Sequence, residues 1–276
     1  MKKRVLVTCS SPRGVPYWWF SAYDRIMRLD HPEYDFDFAM ESGHNALNLA
    51  RNIAAHAAIE QDYWKTVQFD TDMFWEPHHL VRLVSHDEDI VGVLYCKKKP
   101  GKANFVAIKK KDSVAREDGL LAADFIGTGG LCMTIAALRK MVAAYPDREF
   151  SYDDEEGNIK TMTELFPIGL VGPNTASGKI ARIRQLLAEK QMEGNGYPDG
   201  IAHIIESILN TPHPTKSRLL GEDYHFSHLA RKAGISVWID TKCIVGHVGD
   251  CVYPIGAEIK SEPNDIAITN LNLDEW

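Results

Sequence analysis

The sequence lacks an apolar run long enough to cross a membrane, a cysteine pair spaced as CxxC, and any excess of positive charge. Each absence removes a class of protein. A membrane-spanning helix needs about 20 mostly apolar residues. Val5-Leu6-Val7 follows a basic start, but Ser10, Ser11, Pro12 and Arg13 cut it short, so it reads as a first strand and not a signal peptide. The five cysteines, Cys9, Cys96, Cys132, Cys243 and Cys251, are odd in number and scattered. That argues against a disulfide framework or structural zinc and for a reducing cytoplasm. A formal net charge of -7 disfavours a surface devoted to nucleic acid, although a local basic patch stays open.

Two nucleotide signatures are also missing. The segment Ile126-Gly127-Thr128-Gly129-Gly130-Leu131 lacks the GxGxxG spacing and following acid of a dinucleotide fingerprint. Gly172 to Lys179 (GPNTASGK) has five residues between its glycines, with Ile180 after the lysine, whereas a phosphate loop has four residues there and then Ser or Thr. The composition that remains, 45% hydrophobic and 25% charged over 276 residues, is that of a folded, water-soluble globular chain.

The order of apolar patterns predicts an α/β protein. β-rich or alternating runs at 4–8, 34–40, 67–69 and 90–95 are separated by helical spacing at 17–29, 46–60 and 77–84. Strands alternating with helices point to a mostly parallel sheet covered on both faces. A strand-like run at 104–108, a helix at 134–144, a helix ending near Gly234 and a strand at 235–239 continue the pattern. Between 146 and 214 the character changes to acids, turns and a charged helix from about 179 to 193, as in an insertion or lid on a single domain. The polar stretch 251–276 reads as a tail.

Three features carry chemistry. Asp70 and Asp72 end a short apolar run, at the strand end where open α/β sheets bind ligands. Acids so close repel each other. A hard divalent cation carrying phosphate oxygens resolves that repulsion, while the plainer account is a polar strand end leading into a helix. Glu222-Asp223 heads a helix, where acids also serve simply to favour the helix dipole. His247 lies between Gly246 and Gly249 near the end of the folded pattern, either as a metal ligand or as a histidine satisfied inside the fold. Arg51 reads as a solvated helix residue on its own. Lys97, Lys98, Lys99, Lys102, Lys109, Lys110 and Lys111 decorate a hairpin, either to protect a sheet edge or to meet an anionic partner.

Together, FDTDMFWEP at 69–77, LLGEDYHF at 219–226, VGHVG at 245–249 and ALNLARNIAAHA at 46–57 resemble the metal-dependent glycosyltransferases of the GT-A fold. The likeness is to small bacterial and phage members of the family 2 type, and it extends from about residue 3 to 250; 146–214 has no counterpart. It implies a GT-A-like sheet, and transfer of a sugar from a nucleotide-diphosphate donor, UDP-sugar favoured, to an acceptor hydroxyl. Mn²⁺ or Mg²⁺ would be held by Asp70, Asp72 and His247. Asp223, beside Glu222, would be the general base of an inverting reaction. Ser10, Pro12, Arg13, Arg51, Asn52 and Thr71 would line the nucleotide, and Gly129 and Gly130 would approach the sugar with bare backbone. The acceptor would be a glycan, a glycoconjugate or a hydroxymethylated base of phage DNA. A nucleotidyltransferase and a non-catalytic nucleotide-sugar binding module are the competing readings.

Overall fold

The computed structural model describes residues 2–11, 16–42, 46–98, 105–154, 156–171, 179–180, 183, 218–248 and 252–253. In chain order they form β1 (Lys3–Ser11), α1 (Tyr17–Met27), β2 (Tyr34–Ser42), α2 (Leu47–Glu60), β3 (Lys65–Asp70), β4 (Met73–Phe74), α3 (Pro77–Ser85) and β5 (Ile90–Leu94). Then come β6 (Ala107–Lys109), β7 (Leu120–Ile126), β8 (Gly130–Thr134), α4 (Ile135–Ala144), β9 (Glu149–Asp153) and β10 (Ile159–Thr163). Last are β11 (Gly169–Val171), β12 (Arg218–Leu220), α5 (Glu222–Lys232), β13 (Val237–Ile244), β14 (Gly246–Val248) and β15 (Val252–Tyr253). The chain divides into two compact units, one of Met1–Pro167 with Glu222–Thr269 and one of Ile168–Gly221 with Asn270–Trp276. In the second unit β11 and β12 pair antiparallel. The first unit keeps the antiparallel β9–β10 hairpin, which falls inside the 146–214 stretch that the sequence marked as inserted.

The first unit is built on an eight-stranded sheet in the order β2-β1-β3-β8-β5-β13-β7-β6. β1 runs parallel to β2 and β3, and β13 runs parallel to β5. β8 is antiparallel between β3 and β5, and β7 is antiparallel between β13 and β6. The mostly parallel α/β sheet expected from the alternating pattern is therefore present. Its strands bury both faces, as parallel sheets between helices do. Val5 and Val7 join Trp19, Ile26, Leu80 and Leu83 of α1 and α3 in one core, while Leu6 joins Ala55, Leu138, Met141 and Phe226 of α2, α4 and α5 in the other.

Two strands of the eight-stranded sheet, β7 and β8, went unread in the sequence. Residues 126–131 looked like a glycine loop leading to a helix; instead Gly127, Thr128 and Gly129 link β7 to β8, and Gly130 already belongs to β8. Both are reversed strands inside a parallel sheet, so no βαβ rhythm announces them. The final strand of the pattern is also longer than the five residues expected, because β13 pairs with β7 on one side and β5 on the other.

Charged groups buried at the foot of α3 hold this sheet and helix together. Lys65 on β3 is buried and donates to the carbonyls of Val84 and His86 at the C-terminal end of α3, where positive charge suits the helix dipole. Asp240 on β13 is 0% exposed and accepts from Arg82 Nη2 at 2.8 Å and from the Lys242 amide at 2.9 Å, with His86 Nε2 at 2.8 Å. Burial opposes its charge, but His86 and Arg82 outweigh burial and hold the carboxyl below its ordinary range. A depressed pKa adds stability above the unfolded value and loses it as pH falls through the folded one. Asp240→Ala, which strands Arg82 and His86, is expected to cost about 3–5 kcal/mol at neutral pH by urea unfolding, with the gap to wild type narrowing in acid. An acid-independent difference would show that the carboxylate's charge is not what Arg82 and His86 rely on.

Candidate functional site

Asp70 is the last residue of β3, and Asp72 lies in the turn between β3 and β4. The turn is closed from both sides: Phe69 before it and Trp75 after it stack with ring centroids 4.7 Å apart and planes 3° from parallel. Glu76 and His79 then form a reciprocal capping box with Pro77 in the first turn, so α3 starts immediately. β4 pairs antiparallel with β14, placing Met73 opposite His247, and the Val248 amide donates to the Asp72 carbonyl at 2.7 Å. The late glycine-flanked histidine is thereby fastened to the acid pair.

His247 Nε2 lies 3.3 Å from Asp72 Oδ2, and His247 Nδ1 lies 2.7 Å from the Cys96 carbonyl oxygen. A carbonyl only accepts, so Nδ1 is the donor in that contact and Nε2 is the nitrogen that faces the carboxylate. Tyr95 supports the ring edge-on, with centroids 5.3 Å apart. Lys98 Nζ reaches the same Asp72 Oδ2 at 2.6 Å, and Asp72 Oδ1 is buried with no hydrogen-bond partner. Burial would raise the Asp72 pKa, but His247 and Lys98 overcome that and bring it down to about 2.

Asp70 is neutralised from behind. Arg51, 1% exposed on α2, donates to Asp70 Oδ1 at 2.6 Å and to the Thr128 carbonyl at 3.1 Å. Burial raises the Asp70 pKa above the ordinary value, the Asp72 charge adds to this, and Arg51 opposes it. Ser10 at the end of β1 stands in register with Asp70 and is itself buried. Thr71 completes the half-buried turn. Pro12 and Arg13 lie outside the described residues, as do Lys99, Lys102 and the 172–178 part of the phosphate-loop lookalike.

Asn52, Gly129 and Gly130 have packing partners of their own. Asn52 does not line an open site: its Oδ1 accepts from the amides of Leu165 and Phe166 at 2.7 and 3.2 Å, and its amide group donates to the Asn48 carbonyl at 2.8 Å. It pins a buried turn. Gly129 and Gly130 also serve packing. The Gly129 amide donates to Tyr95 Oη at 3.2 Å, and its carbonyl accepts from the Asp70 amide at 3.0 Å. A Cβ on Gly130 would meet Val93 at 2.5 Å and Phe69 at 2.9 Å. The bare backbone makes room for core side chains beneath the acid pair. Arg51, plainly read as a solvated helix residue, is in fact the buried counter-ion of Asp70.

Glu222 and Asp223 occupy the first turn of α5, and the Tyr224 amide donates to Asp223 Oδ1 at 2.7 Å. Burial raises the Asp223 pKa to about 6; the Glu222 charge adds to this, while the Tyr224 amide and Arg51 oppose it. The charges of Glu222 and Asp70 act on each other, and the Tyr95 phenol feels both Asp70 and Asp223, so the acids of α5 and of β3 belong to one electrostatic neighbourhood. Tyr95 and Lys98 were not singled out as site residues in the sequence. The available signal was their place just after β5, at the same sheet edge as Asp70.

The donor set fits a hard divalent ion only in part. One imidazole and one carboxylate meet with an unpartnered oxygen, while Asp70 keeps one oxygen on Arg51. Among the described residues no three His, Cys, Asp or Glu side chains converge into a full cation cage. Mg²⁺ and Mn²⁺ accept such sparse sites when substrate phosphates supply further oxygens.

No family model and no curated protein sequence matches the chain. Among solved structures, A197 from STIV is similar over 50% of this chain and 68% of its own, at 19% identity and a TM-score of 0.37. A glycosyltransferase involved in the glycosylation of the major capsid of PBCV-1 is similar over 52% and 67%, at 13% identity and 0.31. The mannose-1-phosphate geranyltransferase from Thermus thermophilus is similar over 53% and 61%, at 8% and 0.34. These are partial overlaps of about half the chain, and the functional reading below rests on this protein's own residues.

The raised pKa of Asp223 has a testable sign. Its protonated form contributes stability that is fully present below the ordinary value of 3.8 and lost as pH rises through about 6. Asp223→Asn should therefore be more stable than wild type at pH 8, by on the order of 1–3 kcal/mol, and equal to it near pH 4. Chemical unfolding at both pH values checks this; the same difference at each would mean that burial does not raise this carboxyl.

Proposed function

We propose that the chain is a metal-dependent glycosyltransferase that moves a sugar from a nucleotide-diphosphate donor, a UDP-sugar by preference, to an acceptor hydroxyl. The observation that carries this reading is the meeting of Asp72 and His247, remote in sequence, at the carboxyl edge of the sheet through the β4–β14 pairing. Asp72 and His247 would hold the ion, with Asp70 beside them paired to Arg51. A divalent ion there would supply positive charge to the departing diphosphate, the electrostatic help that such leaving groups need.

The remaining work falls to the protein's own groups. Asp223 takes the proton from the acceptor hydroxyl as its oxygen bonds to the anomeric carbon and the bond from that carbon to the diphosphate oxygen breaks. A carboxylate with a pKa near 6 is ionised at neutral pH and is a stronger base than an ordinary one, which suits this role. Glu222 helps keep it there by repulsion. Attack opposite the leaving group inverts the anomeric carbon. Ser10 and Thr71, beside the acid pair, would contact the nucleotide, together with Pro12 and Arg13 further along the first loop.

A thermal-shift screen of nucleotide sugars with and without Mn²⁺ tests the reading. A metal-dependent rise in Tm is expected for one donor class, abolished in His247→Ala. Asp223→Asn should keep that rise while losing turnover by about 10²–10⁴-fold. No shift with any nucleotide sugar would remove the proposal. Unchanged turnover in Asp223→Asn would remove the assigned base, and release of pyrophosphate in place of the nucleoside diphosphate would indicate nucleotidyl transfer.

A further inference from the structure

Asp72 shows an uneven pattern of partners. Its Oδ2 receives Lys98 Nζ at 2.6 Å and faces His247 Nε2 at 3.3 Å, while its Oδ1 is buried and unpartnered. Asp70 has its own counter-ion in Arg51 at 2.6 Å. The two carboxylates are thus each matched by a protein cation, and the pair has no surplus negative charge with which to attract a free divalent ion. An ion seated on Asp72 would also stand against the Lys98 ammonium, and like charges at such range repel strongly where solvent is partly excluded.

The two counter-ions differ in how they are held. Arg51 is fully buried and tied to a second acceptor, the Thr128 carbonyl. The Lys98 side chain is 37% exposed, and its ammonium donates to Asp72. A lysine is a compact charge on a flexible stem, and an exposed ion pair of this kind contributes little stability, so it is easily exchanged. The natural exchange partner is an anion that arrives with the metal. A nucleoside diphosphate brings both the oxygens that complete the ion's shell and a negative charge for a displaced ammonium.

Resting on the metal and diphosphate reading above, we propose that Lys98 is a placeholder cation: it occupies Asp72 in the donor-free protein and transfers to the diphosphate when metal and nucleotide bind together. Lys98 then makes metal binding conditional on the donor. It also becomes a phosphate contact in the loaded site, so Lys98 has a defined anionic target.

Mn²⁺ binding followed by the EPR signal of the free ion, with and without UDP, tests this in wild type, Lys98→Met and Lys98→Arg. Wild type is expected to bind Mn²⁺ weakly alone and more tightly with UDP. Lys98→Met should bind Mn²⁺ alone about tenfold more tightly, with the coupling between Mn²⁺ and UDP reduced by a similar factor. Lys98→Arg, which keeps the cation, should stay near wild type. Wild-type Mn²⁺ affinity in Lys98→Met, or coupling unchanged by the substitution, overturns the placeholder role while leaving the metal site standing. No Mn²⁺ binding in any of the three proteins, with or without UDP, overturns the metal reading itself and this proposal with it.

Discussion

Two carboxylates one residue apart at the edge of a buried sheet repel each other, and the first unit's site is arranged around making that repulsion tolerable. Arg51 reaches Asp70 from α2, entirely inside the protein. Lys98 and His247 reach Asp72 from the opposite side, one from beyond β5 and the other from β14. Without these partners the acid pair would keep uncompensated charge in a partly dry setting, most costly at Asp70, the less exposed of the two. The helix, the strand end and the late β-strand that carry these partners are therefore tied to one another through polar contacts as well as through packing.

The surrounding packing serves the same turn. Phe69 and Trp75 stack across its base, Gly130 lies flat against Phe69 and Val93, and Tyr95 holds both Gly129 and the His247 ring. Each of these is a close, specific contact in a region where small changes in volume are felt. The result is a packed floor beneath two acids whose counter-ions differ: one buried arginine and one half-exposed lysine. In the proposed exchange, that contrast between a buried and a half-exposed cation is what would let the same carboxylates take a ligand.

Asp223 is governed by the opposite balance. Desolvation and Glu222 outweigh the helix-end amide, and the pKa rises to about 6, whereas Asp72 falls to about 2. Neighbouring carboxyls whose environments separate their proton affinities in this way are suited to different tasks, one as a persistent anion and one as a base.

How much of this could be read from the chain alone depends on the range of the interaction. Local periodicity set out the alternating strands and helices through residue 95, because an apolar strand run and a helical stripe are written in consecutive residues. The DxD spacing, the ED pair at a helix start and the glycine-flanked histidine were visible for the same reason. The reversed strands β7 and β8 were not, since an antiparallel strand inside a parallel sheet differs in its partners and not in its own pattern. The roles of Arg51, Asn52 and Lys98 were likewise beyond local reading. All three are polar residues in polar or helical contexts, and only burial and the groups brought against them separate a counter-ion for Asp70, a clamp on the Leu165 turn and a cation on Asp72. The sequence by itself determined which residue types stand at the strand ends; the tertiary structure decided which charges meet, because a charge acts across space on whatever folding places near it.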